Sequence, residues 1–221
     1  KEVFEELTSD RSFELDNVVD NFTVAVAKPQ GQATQYTSAS QRYSTFYNHQ
    51  TYGLGFEITM EAKQDLKDGM AGIVGRYTEQ LIDAARRNQE YRGANVLNRG
   101  FNSSYIGGDG VSLFNTAHPT AVGNQSNTLT NQAALSEASL EQLCIQVNKA
   151  TDYNGNIANL FTRKLIIPPS LEFEAERILN SVARVATADN DLNALRARGK
   201  FTEGFFINKY LDSNNRFFIL T

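Results

Sequence analysis

A single cysteine, Cys144, occurs among the 221 residues. That excludes a disulfide framework and any metal cluster built on thiolates. Only two histidines are present, His49 and His118, far apart in the chain, so a His/Cys zinc site lacks its ligands. A hydrolytic triad would have to recruit one of them. His49 sits at the base of a long polar segment, a poor place to hold a base within hydrogen-bond reach. His118 precedes Pro119, and an X–Pro step favours extended or turn geometry. Both are read as structural or merely exposed. No G-x-S-x-G elbow occurs, and Arg198-Gly199-Lys200 lacks the upstream glycine of a P-loop. Asp109 stands alone in Gly-Gly-Asp-Gly without EF-hand spacing, which leaves only carboxylate binding of Mg2+ or Ca2+ open. No apolar run approaches the roughly 20 residues of a membrane span and none of the residues reads as a signal peptide, so no membrane is expected. Cations are outnumbered, 21 Lys and Arg against 25 Asp and Glu, which argues against sequence-independent nucleic-acid binding. Arg86, Arg87, Arg92, Arg196, Arg198 and Lys200 are interleaved with acids and read as solvated faces, as do Glu172, Glu174 and Glu176. The chain begins at Lys1 without methionine and stops at Thr221 inside an apolar run; a processed product missing its C-terminal portion is the expectation.

What is present is enough for a globular core: 41% of residues are hydrophobic. The first twenty residues are mixed and charged, an arm or a short helix. Phe22–Ala27, FTVAVA, is rich in β-branched residues and reads as a strand. Tyr52, Leu54, Phe56, Ile58 and Met60 alternate with Gly53, Gly55, Glu57 and Thr59, the pattern of a half-buried strand. These two are expected to pair as a hairpin whose tip is the polar stretch Pro29–Gln50. Loops longer than about 12–15 residues are uncommon in compact domains unless functional or disordered. This one carries Tyr36, Arg42, Tyr43, Phe46 and Tyr47, with Lys28 at its base and Tyr52 beside it, and Tyr and Arg are enriched at interfaces. A partner-binding arm is the reading; a floppy surface loop is the alternative.

A long helix over about 61–101 follows from Leu66, Met70, Ile73, Val74, Tyr77, Leu81, Ala84 and Ala85. Gly69, Gly72 and Gly75 interrupt it at intervals of three. Each glycine costs about 0.5–1 kcal/mol relative to alanine inside a helix, so either another backbone packs closely there or the helix must bend. Tyr105–Phe114 reads as a glycine-rich turn leading into a short extended segment, and 115–135 as loop. Ser136 can cap a helix, with Leu135 stapled to Leu140 and Leu140, Leu143, Cys144 and Val147 as its apolar stripe. Cys144 is thus a packing residue. Leu165–Ile167 reads as a buried strand ended by Pro168 and Pro169. Ser170 can then cap a helix with Leu171, Ala175, Ile178 and Val182 facing inward. Two apolar strands around 212–215 read as a closing hairpin. Helices and hairpins without βα alternation indicate an α+β fold.

The segments SLFNTAHPTAVGNQSNTLT, LSEASLEQL, KLIIPPSLEFEAERIL and ATADNDLNALR closely resemble the major capsid protein of tailed double-stranded DNA bacteriophages, in particular the Mu-like prophage major head subunit group. The resemblance runs from just before Gln50 to about Thr221 and is most specific over Leu113–Leu195. It implies the Hong Kong 97-type fold: an N-terminal arm (1–20), an extended loop hairpin (21–60), the spine helix of the peripheral domain (61–106) and an axial domain (107–221), without the later segment that closes the peripheral sheet. It implies self-assembly into pentamers and hexamers of an icosahedral shell around double-stranded DNA, without sequence-specific binding. It further implies no catalysis, no cofactor and no metal, a virion location after assembly in the host cytoplasm, and portal, scaffold or decoration proteins as further partners. On that fold Lys28, Tyr36, Arg42, Tyr43, Phe46 and Tyr47 would touch a neighbouring subunit, and Gly69, Gly72 and Gly75 would soften the spine helix as a hinge. The lysine–asparagine cross-link of some tailed-phage capsids is not carried over to Lys28, since no residue match supports it. Two rivals are an encapsulin-type nanocompartment shell packaging an enzyme and a small hydrolase or nucleotide-binding enzyme; the latter lacks its motifs.

Overall fold

A computed structural model of the chain describes residues 3–65, 69–183 and 191–221. Its core is organised by one short strand. β5 (Lys164–Ile167) is buried at all four positions and lies at the centre of a three-stranded sheet. β6 (Phe205–Ile207) pairs with it in parallel and β7 (Phe218–Leu220) antiparallel, one on each edge. Alternation along β5 sorts the core into two layers. Leu165 and Ile167 pack with Leu140, Cys144, Ala175, Ile178 and Leu195. Ile166 packs in a separate cluster with Leu97 and Phe218, which Val3 and Phe114 cover.

The first layer is supplied by three helices: α3 (Glu137–Asn148), α4 (Glu172–Asn180) and α5 (Ala194–Ala197). α3 begins as its sequence predicts. The Ser136 hydroxyl accepts from the Ser139 backbone, the Ser139 hydroxyl accepts from the Ser136 backbone, and Leu135 and Leu140 are both buried. Before α3, β3 (His118–Thr120) and β4 (Gly123–Gln125) form a small hairpin within the stretch read as loop.

The second layer meets the end of a long helix. α1 (Met60–Asp65) and α2 (Met70–Asn98) cover the predicted helix; Leu66 lies outside the described residues. α2 is buried only toward its C-terminus, at Ala94 and Leu97. Its other described side chains are exposed or half-buried.

Several expectations are corrected. The strands at 22–27 and 52–60 do not form. The hairpin is built from β1 (Phe13–Val19) and β2 (Gln41–Asn48), and residues 21–40 between them are exposed throughout. Strand propensity needs a partner backbone to be expressed, and within this chain segments 13–19 and 41–48 find each other instead. Ser170 does not cap α4: it donates to the Asn214 carbonyl while Pro169–Leu171 forms a 3-10 turn. Val182 is 69% exposed because α4 stops at Asn180, and Leu179 takes the inward position. β6 and β7 do not pair with each other. A strand buried on both faces has ladder groups on two edges to satisfy, and β5 receives one partner on each. Finally, a Cβ built at Gly69, Gly72 or Gly75 would meet nothing within 4 Å, so close backbone packing inside the chain is not the reason for these glycines.

Candidate assembly surface

The β1–β2 hairpin presents two unlike faces. Leu15 stands opposite Phe46, and Phe13 opposite Asn48. Side chains alternate across a strand, so Phe13, Leu15 and Phe46 share one face, where the two phenyl rings stack with centroids 5.1 Å apart. The other face carries Glu14, Asp16, Thr45 and Tyr47, together with Tyr43. It is this second face that turns toward the protein's own body. A Cβ at Gly108 would meet Thr45 Oγ1 and the Tyr43 ring at 2.5 Å, so any larger residue there would push these side chains away. The apolar face is left outward, with Phe13, Leu15 and Phe46 about half exposed or more. A two-stranded ribbon is marginal alone in water, and this one points its hydrophobic side away from the chain's own body.

At its loop-side end the hairpin is tied down. Asn17 faces Ser44, but the next aligned pair is Val19 with Gln41, so β2 carries one extra residue there. Such a bulge re-aims neighbouring side chains and sends Arg42 to the body side. There its guanidinium pairs with Asp20 and lies on the ring of Tyr153 in the connection between α3 and β5. Asp20 also accepts from the Ser40 hydroxyl at 2.8 Å. The hydrogen bond from Arg42 holds the Asp20 carboxyl below the usual carboxylate range. Asn154 Nδ2 donates to the Asn21 carbonyl at 2.7 Å, and Asn21 Nδ2 to Asp152 at 3.4 Å. Burial pushes the Asp152 carboxyl up, yet the hydrogen bonds from Asn156, Asn21 and Asn154 outweigh it and keep it below the ordinary range.

The other residues singled out in the sequence fall as follows. Lys28 and Tyr36 lie in the exposed span, Tyr36 being 93% exposed. Tyr47 is 52% exposed on the hairpin. Gly69 occupies the N-cap position of α2 with no side-chain cap, and Gly72 and Gly75 follow in its first turns. Arg92 lies 3.7 Å over the ring of Tyr52, which docks part of the 49–59 segment on α2. Asp109 was missed as a structural residue. It pairs with His118 Nδ1 at 2.6 Å and accepts from the Val111 backbone, fastening the glycine-rich turn to β3. Proximity of two residues nine apart, in loops, leaves no periodic signal. His49 is exposed, with its backbone N–H donating to Ser12.

No group of three or more His, Cys, Asp or Glu is placed to hold a metal ion among the described residues. No helix among them is long and apolar enough to cross a membrane. A groove of about 520 Å3 runs beside β7 between Phe114, Leu129, Leu143 and Phe217; Arg216 is the one ionisable side chain lining it. The surface can bury apolar area and form polar contacts.

Comparison with known proteins fits that reading. A family model described as phage capsid protein matches residues 42–221. No curated protein sequence matches the chain. Among solved structures, the bacteriophage JBD30 capsid is similar with a TM-score of 0.70 at 11% identity, over 92% of this chain and 88% of that one. The JBD30 capsid decorated with minor capsid protein trimers is similar with a TM-score of 0.64 at 12% identity, over 83% of each chain.

Proposed function

The chain belongs to the phage capsid protein family and is a shell-forming major capsid protein with an α+β capsid fold; on that premise we propose how its surfaces build the shell. The hairpin with residues 21–40 is the extended loop of a Hong Kong 97-type subunit, α2 is the spine helix, and the sheet around β5 with α3–α5 is the core of the axial domain. Copies assemble into pentamers and hexamers of an icosahedral shell that encloses double-stranded DNA without reading its sequence. A net charge of −4 suits a container, because a strongly basic wall would trap the genome by counterion release.

One observation carries this reading: the hairpin's apolar face and the twenty residues after Asp20 are exposed in the single chain. Their packing partners are supplied by other copies, in the manner of an extended segment laid on a neighbour. Tyr36 and Phe46, with Lys28 at the flank, make that contact; Tyr47 lies on the body-side face, and its 52% exposure leaves its outer edge open to a neighbour. Tyr43 and Arg42 contribute by holding the hairpin in place. Individual contacts can be weak because each copy engages several neighbours at once.

Gly69, Gly72 and Gly75 act as a soft segment at the start of the spine helix. Their open surroundings support bending over close packing, since bending requires free space around the backbone. A decoration protein is a further partner, as the similar JBD30 capsid carries minor capsid protein trimers. The nanocompartment alternative is not favoured, because the family and both solved relatives are phage capsids.

Electron microscopy of the purified chain tests the proposal. Ring capsomers or closed shells of uniform diameter are expected, and shells recovered from an infected or induced host should protect DNA from nuclease. A monodisperse monomer at every concentration, or shells filled with an enzyme instead of DNA, would overturn it.

A further inference from the structure

We infer that the Asp20–Arg42–Tyr153 cluster is a pin that fixes where the extended loop leaves the subunit, so that the direction of the loop is set by the subunit's own axial turns before any neighbour is met. The inference rests on the shell reading for its consequence but on intramolecular geometry for its existence.

The pin sits at one particular place. β1 ends at Val19 and β2 begins at Gln41, so Asp20 and Arg42 flank the point where the loop departs. Among the described residues, the polar ties between hairpin and body cluster there. Arg42 pairs with Asp20 and lies on Tyr153, while Asn21 is held from both sides by Asp152 and Asn154. The Asp20 side chain is 7% exposed and that of Arg42 21%, whereas every residue from Asn21 to Ser40 is exposed. A closed ion pair thus stands at the boundary between a packed root and a free span. The α3–β5 connection that receives it is itself stiffened. Asp152 Oδ1 accepts the backbone N–H groups of Asn154 and Asn156, and the Gly155 N–H donates to the Asp152 carbonyl. A platform internally bonded in this way transmits position instead of yielding to it.

The extra residue in β2 has a purpose on this reading. Without it, Arg42 would share the outward face with Ser44 and Phe46; with it, Arg42 reaches the body. A planar guanidinium can bind a carboxylate at its edge and an aromatic ring on its face together, which an ammonium cannot. The same residue therefore closes the hairpin end and docks it.

The test uses three variants of the full chain, Arg42→Ala, Arg42→Lys and Asn154→Ala, with two readouts. The first is hydrogen exchange in the unassembled subunit at the Asp20 N–H, which donates to the Ser40 carbonyl. Exchange should speed about fivefold or more in Arg42→Ala and less in Arg42→Lys, as expected for losing a charged hydrogen bond that limits local opening. Exchange at Leu165–Ile167 in the buried sheet should not change. The second readout is particle diameter by electron microscopy. Arg42→Ala and Asn154→Ala should give shells of mixed size or open sheets. Unchanged exchange at Asp20 would remove the pin itself. Faster exchange with shells as uniform as the parent would show that the pin exists but does not set the loop's direction, and would overturn the inference. If the parent chain forms no shells, the shell reading fails while the exchange readout still decides whether the pin exists. Should Arg42→Ala not fold, Asn154→Ala, which removes a surface hydrogen bond only, carries both readouts.

Discussion

Leu15 of β1 stands directly opposite Phe46 of β2, and the two side chains are 54% and 60% exposed. A cross-strand apolar pair normally stabilises a sheet by facing a core. Here the face that turns inward is the polar one, held against Gly108 through Tyr43 and Thr45, and the apolar pair faces outward. In a protein that works as one copy this would be an aggregation liability. In the proposed shell it is the contact offered to a neighbouring copy.

The first prediction follows from that inversion. Leu15→Asp and Phe46→Asp should leave the unassembled subunit folded, with its core melting transition little changed, because neither side chain belongs to a buried cluster and only the hairpin's own Leu15–Phe46 pair and Phe13–Phe46 stack are lost. Assembly should be lost or need about tenfold higher concentration, as for loss of an interface anchor of one to two kcal/mol. Light scattering against concentration reads the effect. Normal assembly of both variants would mean the apolar face is not an interface.

A second prediction concerns the glycines. Gly72→Ala and Gly75→Ala should each stabilise α2 by about 0.5–1 kcal/mol, because a Cβ at either position meets open space. Chemical denaturation of the unassembled subunit measures this. If these positions supply a bend during shell expansion, the double variant should assemble yet expand more slowly. Normal expansion would assign them no role as a hinge.

Acid should loosen the hairpin before the core. Asp20 is held below its ordinary pKa, mainly by the hydrogen bond from Arg42. A depressed carboxylate stabilises the fold above its unfolded pKa, near 4, and that contribution disappears as pH falls through the lower folded value. Protection of the Asp20 amide, taken relative to the intrinsic exchange rate at each pH, should therefore fall below about pH 4. The buried β5 amides should hold longer. Simultaneous loss of both would contradict the order.

The core around β5 was the part of the fold most legible from the residues. Ser136 announces α3 by local chemistry, and Leu165–Ile167 is apolar enough that only a central strand suits it. Cys144 illustrates why: it falls on the α3 stripe and is buried against Thr162, and burial pushes its thiol upward. Thiol reagents should reach it only on unfolding; rapid labelling of the native protein would contradict this placement.

The strand partners were not legible, and the reason is physical. Phe22–Ala27 and Tyr52–Met60 alternate well, but alternation says which faces a strand would have, not which backbone will lie beside it. β1, with Glu14, Asp16 and Asn17, has the weaker strand pattern and yet forms the ladder. Likewise β6 and β7 looked like two arms of one hairpin because they are neighbours in sequence, whereas β5 came between them. The candidate site was half visible: its aromatics stood out, but the Arg42–Tyr153 contact joins segments that no local pattern relates.

The central claim is that the extended loop completes its packing on sister subunits. A cryo-electron microscopy reconstruction of the assembled shell tests it most directly, by locating residues 22–40 and the Phe13–Leu15–Phe46 face. The account predicts that the loop lies across an adjacent subunit with those three side chains covered by it. A loop folded entirely onto its own subunit, with the three side chains still facing solvent, would contradict it.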